Sequence, residues 1–250
     1  MMPNGIDLDG LKKGGASPSG VERREFLKIG LAITGVFAGG TVFSLASNVG
    51  RALASPDEVY KKYPYKPHYS MVIRQNRCID CERCKQACKA TNHVPDYGYR
   101  TTILEKDVPG AIGQKREFIP VLCNQCNNPP CVRACPTGAS YKDKTTGIVL
   151  IEDKKCIGCK TCMLACPYNA RYFDDEKRSV DKCNFCFDTR LSKGEKLTAC
   201  AAICPAHARV FGDLSERGGE VYQLVHQIVT PVWVLRPSVG TKPNVFYTKG

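Results

Sequence analysis

The sequence is poor in the features that mark most enzymes and membrane proteins. Only four histidines occur in 250 residues (His68, His93, His207 and His226), and they form no H-E-x-x-H or Ser/His/Asp arrangement. Only one uncharged stretch exceeds about 18 residues, which excludes a polytopic membrane protein. Charged residues (24%) and hydrophobic residues (43%) occur in ordinary proportions, which excludes wholesale disorder.

The N-terminal segment has the organisation of an export signal. Residues 21–28 read VERREFLK, which resembles the twin-arginine export motif, with Glu22 where Ser or Thr is usual. A stretch of 22 uncharged residues (29–50) follows, and Ala-Leu-Ala at 52–54 fits an A-x-A cleavage site. We therefore expect a twin-arginine signal peptide at residues 1–54 and a mature protein at 55–250, in the periplasm or on the outer face of the inner membrane. A retained single-span anchor is the alternative, since 22 residues can cross a bilayer core.

Cysteine is abundant instead. All 16 cysteines lie between residues 78 and 204 and form four groups of four, each of which ends in C-x3-C. Three of the groups end in Cys-Pro. The four groups are Cys78, Cys81, Cys84 and Cys88; Cys123, Cys126, Cys131 and Cys135; Cys156, Cys159, Cys162 and Cys166; and Cys183, Cys186, Cys200 and Cys204.

The spacing favours iron–sulfur clusters. A C-x2-C-x2-C loop gives three thiolates to one [4Fe–4S] cubane, and the next Cys, one helical turn on, binds the neighbouring cluster. Disulfides are an alternative for an exported protein, but they do not require this repeated run. Zinc in four-cysteine sites explains paired C-x2-C but not a third Cys followed by C-x3-C-P. Fewer than four clusters is a further alternative, because Lys89 replaces the Pro of the first group and 13 residues (187–199) interrupt the fourth.

The basic charge fits buried anionic clusters. The whole chain has a formal charge of +12, and residues 55–250 carry 30 Lys+Arg and 20 Asp+Glu, a formal +10. Each oxidised cubane with four thiolates contributes about −2, so four of them would compensate most of this excess. A basic protein can also indicate a nucleic-acid partner. Export and this charge balance argue against one.

The segment between the second and third groups resembles the core of bacterial two-cluster ferredoxins. It contains C-P-T-G-A from Cys135, a polar turn that ends at Gly147 and a short strand at Ile148–Ile151. The resemblance implies a ferredoxin unit at about 121–174. The predicted class is α+β, two ferredoxin-like two-cluster units with a cluster-dominated core. Further short strands are predicted at 69–73, 101–104, 118–122 and 209–211, and short helices after Cys84, Cys131, Cys162 and Cys200.

The complete pattern resembles the four-cluster electron-transfer (beta) subunits of the DMSO reductase superfamily. The pattern consists of the signal, the order of the groups, the N-N-P-P insert of the second group, the gap in the fourth and the ending L-R-P-S-V-G-T-K-P at 235–243. Exported polysulfide, thiosulfate and tetrathionate reductase subunits and related nitrite- and sulfite-reduction proteins share it. The resemblance covers about residues 70–250. It implies an outer unit formed by about 70–120 and 175–215, with a C-terminal docking tail at 216–250.

The resemblance also implies the ligands of four [4Fe–4S] clusters. In this arrangement the second group pairs with the third, as the ferredoxin-like spacer indicates, and the first pairs with the fourth. The four predicted ligand sets are set 1, Cys78, Cys81, Cys84 and Cys204; set 2, Cys183, Cys186, Cys200 and Cys88; set 3, Cys123, Cys126, Cys131 and Cys166; and set 4, Cys156, Cys159, Cys162 and Cys135.

No residues remain for catalysis, so the sequence predicts a non-catalytic conductor of electrons. The implied partners are a molybdopterin catalytic subunit and an integral membrane subunit that reacts with quinone, with no nucleic acid. The stretch 221–235 is apolar, contains the single Trp (Trp233) and suits docking, although packing over its own core is an equal alternative. His207 is the one histidine predicted to tune a cluster. A stand-alone or hydrogenase-linked ferredoxin-like carrier is the alternative function.

Replacing Arg23 and Arg24 together by Lys should hold a cluster-loaded precursor in the cytoplasm, because the export machinery reads the paired arginines. In the parent protein we expect Ser55 as the mature N-terminus. Cell fractionation and intact-mass measurement check both points. Retention of residues 1–54 in the working protein would contradict cleavage but leave export standing.

Overall fold

The structure, a computed structural model, describes residues 63–109, 113–226 and 229–249. The predicted signal at 1–54 lies outside the described residues. The strands are β1 (Tyr69–Arg74), β2 (Thr101–Pro109), β3 (Gln114–Leu122), β4 (Ser140–Lys142), β5 (Val149–Ile151), β6 (Tyr172–Asp174), β7 (Ser179–Asp181), β8 (Arg209–Asp213), β9 (Val232–Trp233) and β10 (Val245–Thr248). The α-helices are α1 (Arg83–Asn92), α2 (Pro130–Arg133), α3 (Thr161–Leu164), α4 (Ala199–Ala202) and α5 (Glu220–His226), with short 3-10 turns between them.

Both helices and strands occur where the cysteine spacing and the β-branched runs predict them. Helices α1, α2, α3 and α4 contain Cys84, Cys131, Cys162 and Cys200, and every predicted strand position lies in or against an observed strand. The hairpin of β2 and β3 is longer than predicted, because the oppositely charged pairs Lys106 with Glu117 and Asp107 with Arg116 continue the ladder toward its tip. Of the helices in the described part of the chain, none has both the length and the hydropathy that a bilayer crossing requires.

A four-stranded sheet of order β8-β1-β10-β9 organises the described residues. Strand β1 lies inside this sheet, antiparallel to β8 and parallel to β10. Both of its faces are covered, so Met71, Val72 and Ile73 are all fully buried. Near the C-terminal end, Tyr247 of β10 is also fully buried and its hydroxyl donates to the Pro120 carbonyl at 3.1 Å. This sheet therefore pairs two strands, β1 and β10, that lie about 170 residues apart in the sequence.

Cysteines form part of the main apolar core. The cluster that contains Met71 and Ile73 also contains Cys84, Cys123 and Cys183, together with Ile148, Phe185 and Tyr247. Apolar side chains thus pack directly around thiols from three of the four groups. This arrangement agrees with a core that is built largely around metal ligands rather than around aliphatic side chains alone.

The turn before β5 depends on glycine, as the sequence predicts. Gly147 has φ +68°, and a Cβ at this position would lie 2.4 Å from the ring of Tyr65. The carboxylate of Asp143 accepts from the backbone N–H groups of Thr145 and Thr146 at 3.2 and 2.7 Å, so the turn is closed by a side chain. This turn returns the chain from β4 into β5, which leads to the third cysteine group.

Two segments contribute more to the core than their sequence alone indicates. The insertion at 187–199 lies only partly outside the core, because Leu191 is buried in the main core while residues 192–197 are exposed. The segment 216–250, predicted as a docking tail, contributes β10 to the centre of the main sheet and buries Val221. These parts of the segment pack on their own domain, and a docking role for the remainder stays a prediction.

A mostly buried ion pair connects the segment before β2 to β7. Arg100 donates to the two carboxylate oxygens of Asp181 at 3.0 and 2.8 Å. The Tyr172 hydroxyl donates to the same carboxylate at 2.5 Å, and Arg100 also donates to the Asn184 side chain at 3.1 Å. Burial alone would raise the pKa of Asp181, but Arg100 and the Tyr172 hydrogen bond hold that pKa below its usual value.

Changing Asp181 to Asn should lower the free energy of unfolding by about 3–5 kcal/mol, because it leaves the Arg100 charge buried and unpaired. The matched control is Glu105→Gln, which removes one partner of the exposed pair with Arg116 and should cost less than about 1 kcal/mol. The shift in apparent thermal midpoint of each anaerobically purified variant, relative to the unsubstituted protein, measures its loss of stability. Equal shifts for the two variants would contradict this account of the buried pair.

Candidate iron–sulfur centres

All four cysteine groups share one backbone feature. The residue before the second Cys of each group has a positive φ: Asp80 at 53°, Gln125 at 46°, Gly158 at 67° and Phe185 at 54°. A left-handed residue next to an ordinary one turns consecutive N–H groups toward the same side, which forms a cavity that suits an anion. Three of these positions hold a non-glycine residue, so side-chain preference alone does not explain the conformation.

The helices of the groups pack in a nested order. Helix α1 of the first group contacts α4 of the fourth, and α2 of the second group contacts α3 of the third. Each contact brings the last Cys of one group toward the loop of another. The structure therefore brings together the groups that the sequence resemblance pairs.

Two of the predicted ligand sets each line one cavity. The four cysteines of set 4, Cys135, Cys156, Cys159 and Cys162, surround one cavity with Arg171. The four cysteines of set 2 surround another, with Asn92 and Arg100 in its wall: Cys88, Cys183, Cys186 and Cys200. In both cavities a single Cys from another group completes three from one group.

For the other two sets, the grouping is indicated by the thiols that lie near each buried thiol. In set 3, burial raises the pKa of the Cys126 thiol to about 12, and the adjacent thiols of Cys123, Cys131 and Cys166 add to the shift. In set 1, burial raises the pKa of Cys84, and Cys204 is among the thiols that raise it further. The pKa of Cys78 is also raised by burial, and the Cys84 thiol raises it further.

Sets 2 and 3 adjoin each other. Burial raises the pKa of Cys183 in set 2 well above its usual value, and Cys123 of set 3 is among the neighbouring thiols that contribute. The Gln125 side chain donates to the Cys183 carbonyl at 2.7 Å, and Lys182 donates to the same carbonyl at 2.9 Å. The side chain of Lys182 is fully buried between the two sets, near Cys123 and Cys131.

The chemistry of these sites fits iron–sulfur clusters. Their donors are cysteine sulfurs, which favour iron in sulfur clusters. Several sulfurs also accept from nitrogen: Ser140 N–H to Cys135 at 3.4 Å, Ala208 N–H to Cys204 at 3.3 Å, and Asn92 to Cys186 at 3.4 Å. Such N–H···S contacts stabilise anionic sulfur. Within the described ranges, no three His, Cys, Asp or Glu side chains converge as a single metal ion would require.

The cysteines of the four sets differ in their exposure to solvent. Cys81 of set 1 and Cys159 of set 4 are exposed, whereas the thiols of set 2 are all buried. Apolar side chains lie beside both exposed cysteines: Ile79 is 64% exposed, Ile157 67% and Leu164 89%. His207 is exposed too, so water would screen a charge on its ring, which weakens the prediction that it tunes a cluster.

The sequence interpretation missed the side chains that surround the thiols. Arg171 and Arg209 are buried beside cysteines of two sets each, and Asn92 contacts the sulfurs of Cys88 and Cys186. The sequence does contain a pattern that marks the two arginines, because each follows the last Cys-Pro of its group at the same distance. No comparable signal marks Asn92, whose role depends on helix α1 packing against a segment 94 residues away.

Comparison with known protein families identifies two matching models. One, described as a 4Fe-4S dicluster domain, matches residues 114–214, and the other, a 4Fe-4S binding domain, matches residues 75–97. Together they cover all four cysteine groups. The matches support [4Fe–4S] clusters as the cofactor.

Similar proteins of known name are found in several bacteria. A tetrathionate reductase subunit of Salmonella typhimurium is 38% identical over 197 residues, which cover 74% of this chain and 78% of that protein. Protein NrfC of Escherichia coli is 36% identical over 225 residues, covering 90% and 93%. Thiosulfate reductase electron transfer subunit PhsB of Salmonella typhi is 42% identical over 151 residues, covering 59% and 77%.

Proposed function

Because the chain belongs to the family of 4Fe-4S electron-transfer subunits of reductase complexes, we propose that it relays electrons through four [4Fe–4S] clusters between two partner subunits. Membership in this family confirms the resemblance drawn from the cysteine pattern. The clusters would supply one-electron chemistry, and the chain would hold them, insulate them from water and set their spacing.

The observation that carries this proposal is the grouping of the cysteines. The predicted ligand sets divide the sixteen thiols into four sets of four, each with three from one group and one from its partner group. Two sets line common cavities, and in the other two a buried thiol, Cys84 or Cys126, has thiols of its own set among its neighbours. This grouping supports the predicted ligand sets 1 to 4 and two ferredoxin-like units.

The proposed order of the clusters is 1-2-3-4. Cys84 of set 1 and Cys88 of set 2 stand four residues apart on helix α1, about 6 Å along its axis. Sets 2 and 3 adjoin through Cys183 and Cys123. Sets 3 and 4 are linked in the same way as sets 1 and 2, because the second and third groups exchange their last cysteines. A continuous line of centres follows.

The ends of the line are the proposed contact sites for partners. The exposed cysteines, Cys81 and Cys159, belong to sets 1 and 4, and exposed Ile79 and Ile157 flank them. We propose that one end meets a molybdopterin catalytic subunit and the other an integral membrane subunit that reacts with quinone. Apolar side chains at these ends would bring the outer clusters close to the partners and exclude water between them.

The chain itself is proposed to be non-catalytic and to work in the periplasm or on the outer face of the inner membrane, after export by the twin-arginine route. The cysteines are assigned to clusters, and the histidines form no catalytic group. A stand-alone or hydrogenase-linked carrier is the second candidate. Co-purification separates the two: a relay subunit should be isolated with a large molybdopterin subunit and a membrane subunit, whereas a carrier should be isolated alone.

Anaerobically purified protein should be brown and contain about 16 iron and 16 acid-labile sulfide per chain, because four cubanes contain four irons each. Metal analysis and sulfide determination measure this content. Zinc in place of iron, or about 12 irons, would contradict the four-cluster proposal.

The nested ligand sets predict which cysteine substitutions act on the same cluster. Cys88→Ser and Cys183→Ser should disturb one and the same EPR signal, because both residues belong to set 2. Cys78→Ser is the matched control, since it lies in the same group as Cys88 but should disturb a different signal. If Cys88→Ser disturbed the signal that Cys123→Ser disturbs, the first and second groups would be paired and the order of clusters would change.

A further inference from the structure

Two buried arginines occupy equivalent positions in the two halves of the cysteine pattern. The sequence C-P-x2-A-R occurs twice, as Cys166-Pro-Tyr-Asn-Ala-Arg171 and as Cys204-Pro-Ala-His-Ala-Arg209. The first copy ends the third group and the second ends the fourth. Arg171 is 1% exposed and Arg209 is 3% exposed. Residues this hydrophilic are rarely so deeply buried without a partner.

Arg171 lies between ligand sets 3 and 4. Its Nη2 donates to the Ser140 hydroxyl at 2.8 Å. Its guanidinium lies close to the thiols of Cys131, which belongs to set 3, and Cys162, which belongs to set 4. Arg171 also lines the cavity of set 4. One planar cation therefore faces both thiol sets of this half.

Arg209 has the same relation to sets 1 and 2. Its Nη2 donates to the Thr101 hydroxyl at 2.7 Å. Its guanidinium lies close to the thiol of Cys84, in set 1, and to those of Cys200 and Cys183, in set 2. In both halves a hydroxyl thus fixes one nitrogen, and the rest of the guanidinium faces cysteines.

Neither cation has a carboxylate partner in the part of the chain that the structure describes. By contrast, the buried Arg100 is neutralised by two hydrogen bonds to Asp181. In addition, the Nη1 atoms of Arg171 and Arg209 are buried without a hydrogen-bond partner among the described residues. A buried charge requires compensation, and the thiolate sulfurs of the ligand sets are the anions within reach.

We propose that Arg171 and Arg209 are positioning residues that set the reduction potentials of the clusters, each acting on both clusters of its own half. The proposal rests on the proposed function, because it assumes clusters on the four ligand sets. Reduction adds one negative charge to a cluster, and a fixed positive charge beside it in a medium of low dielectric constant stabilises the reduced form. Arginine keeps its charge at any working pH. Each arginine therefore raises the potentials of two clusters at once.

The test is an EPR-monitored redox titration of the anaerobically purified full chain with Arg171→Gln and Arg209→Gln. Arg171→Gln should shift the midpoint potentials of clusters 3 and 4 downward and leave clusters 1 and 2 unchanged. Arg209→Gln should give the reciprocal result. The matched control is Arg133→Gln, which removes an exposed arginine two residues after Cys131. Water screens that charge, so no midpoint should move.

The lysine variants separate charge from simple packing. Arg171→Lys and Arg209→Lys keep the charge but lose the planar fork that faces two sulfurs, so the downward shift should be smaller than that of the glutamine variants. Iron analysis of each variant accompanies the titration. Four clusters with unchanged midpoints in the glutamine variants would overturn the proposal. Loss of iron in both the glutamine and the lysine variants, with none lost in Arg133→Gln, would also overturn it and indicate a structural role.

These outcomes are distinct from a failure of the proposed function. If the unsubstituted protein holds fewer than four cubanes, the four-cluster relay fails before any variant is measured. If it holds four cubanes and the arginine variants do not move the potentials, the relay stands and only the role of the arginines fails.

Discussion

The convergence of thiols from distant cysteine groups is the constraint on which the rest of the structure depends. The thiol of Cys204 lies near that of Cys84, and the thiol of Cys88 lies near that of Cys183. Helix α1 therefore packs on α4, and the first strand of the described chain pairs with β8 and β10 near its end. The second and third groups lie between them in sequence and form their own local pair. In the proposed arrangement short helices and two-stranded ladders suffice, because clusters on the ligand sets would hold these segments together.

The same constraint sets the electrostatics. In the proposed arrangement the thiolates of a mostly buried core require cations that are buried with them, because water cannot screen charge there. Arg171, Lys182 and Arg209 lie among the sets, whereas Arg100 is neutralised by Asp181 and serves to join segments. The excess of basic residues in the sequence thus has two parts. A few buried cations act on the sets directly, and the exposed remainder is screened by solvent.

Local patterns in the sequence predicted part of the local structure. Cysteine spacing predicted helices α1 to α4, and short apolar runs and Gly147 predicted five of the ten described strands and the turn before β5. The central place of β10 could not be predicted, because its partner β1 lies about 170 residues away and parallel pairing leaves no mark in a short segment. The burial of Leu191 was hidden within a polar insertion for a similar reason. The roles of Arg171 and Arg209 could not be predicted for another reason. Sequence alone does not tell whether a basic residue near a Cys is buried or exposed to solvent.

The most direct test of the central claim, that four nested ligand sets hold four clusters in one line, is a crystal structure of the anaerobically purified chain with iron located by anomalous scattering. The account predicts four separate iron clusters. Cys88 should lie on the cluster of Cys183, and Cys135 on the cluster of Cys156. Three clusters, or a cluster that joins Cys88 to the group of Cys123, would contradict it.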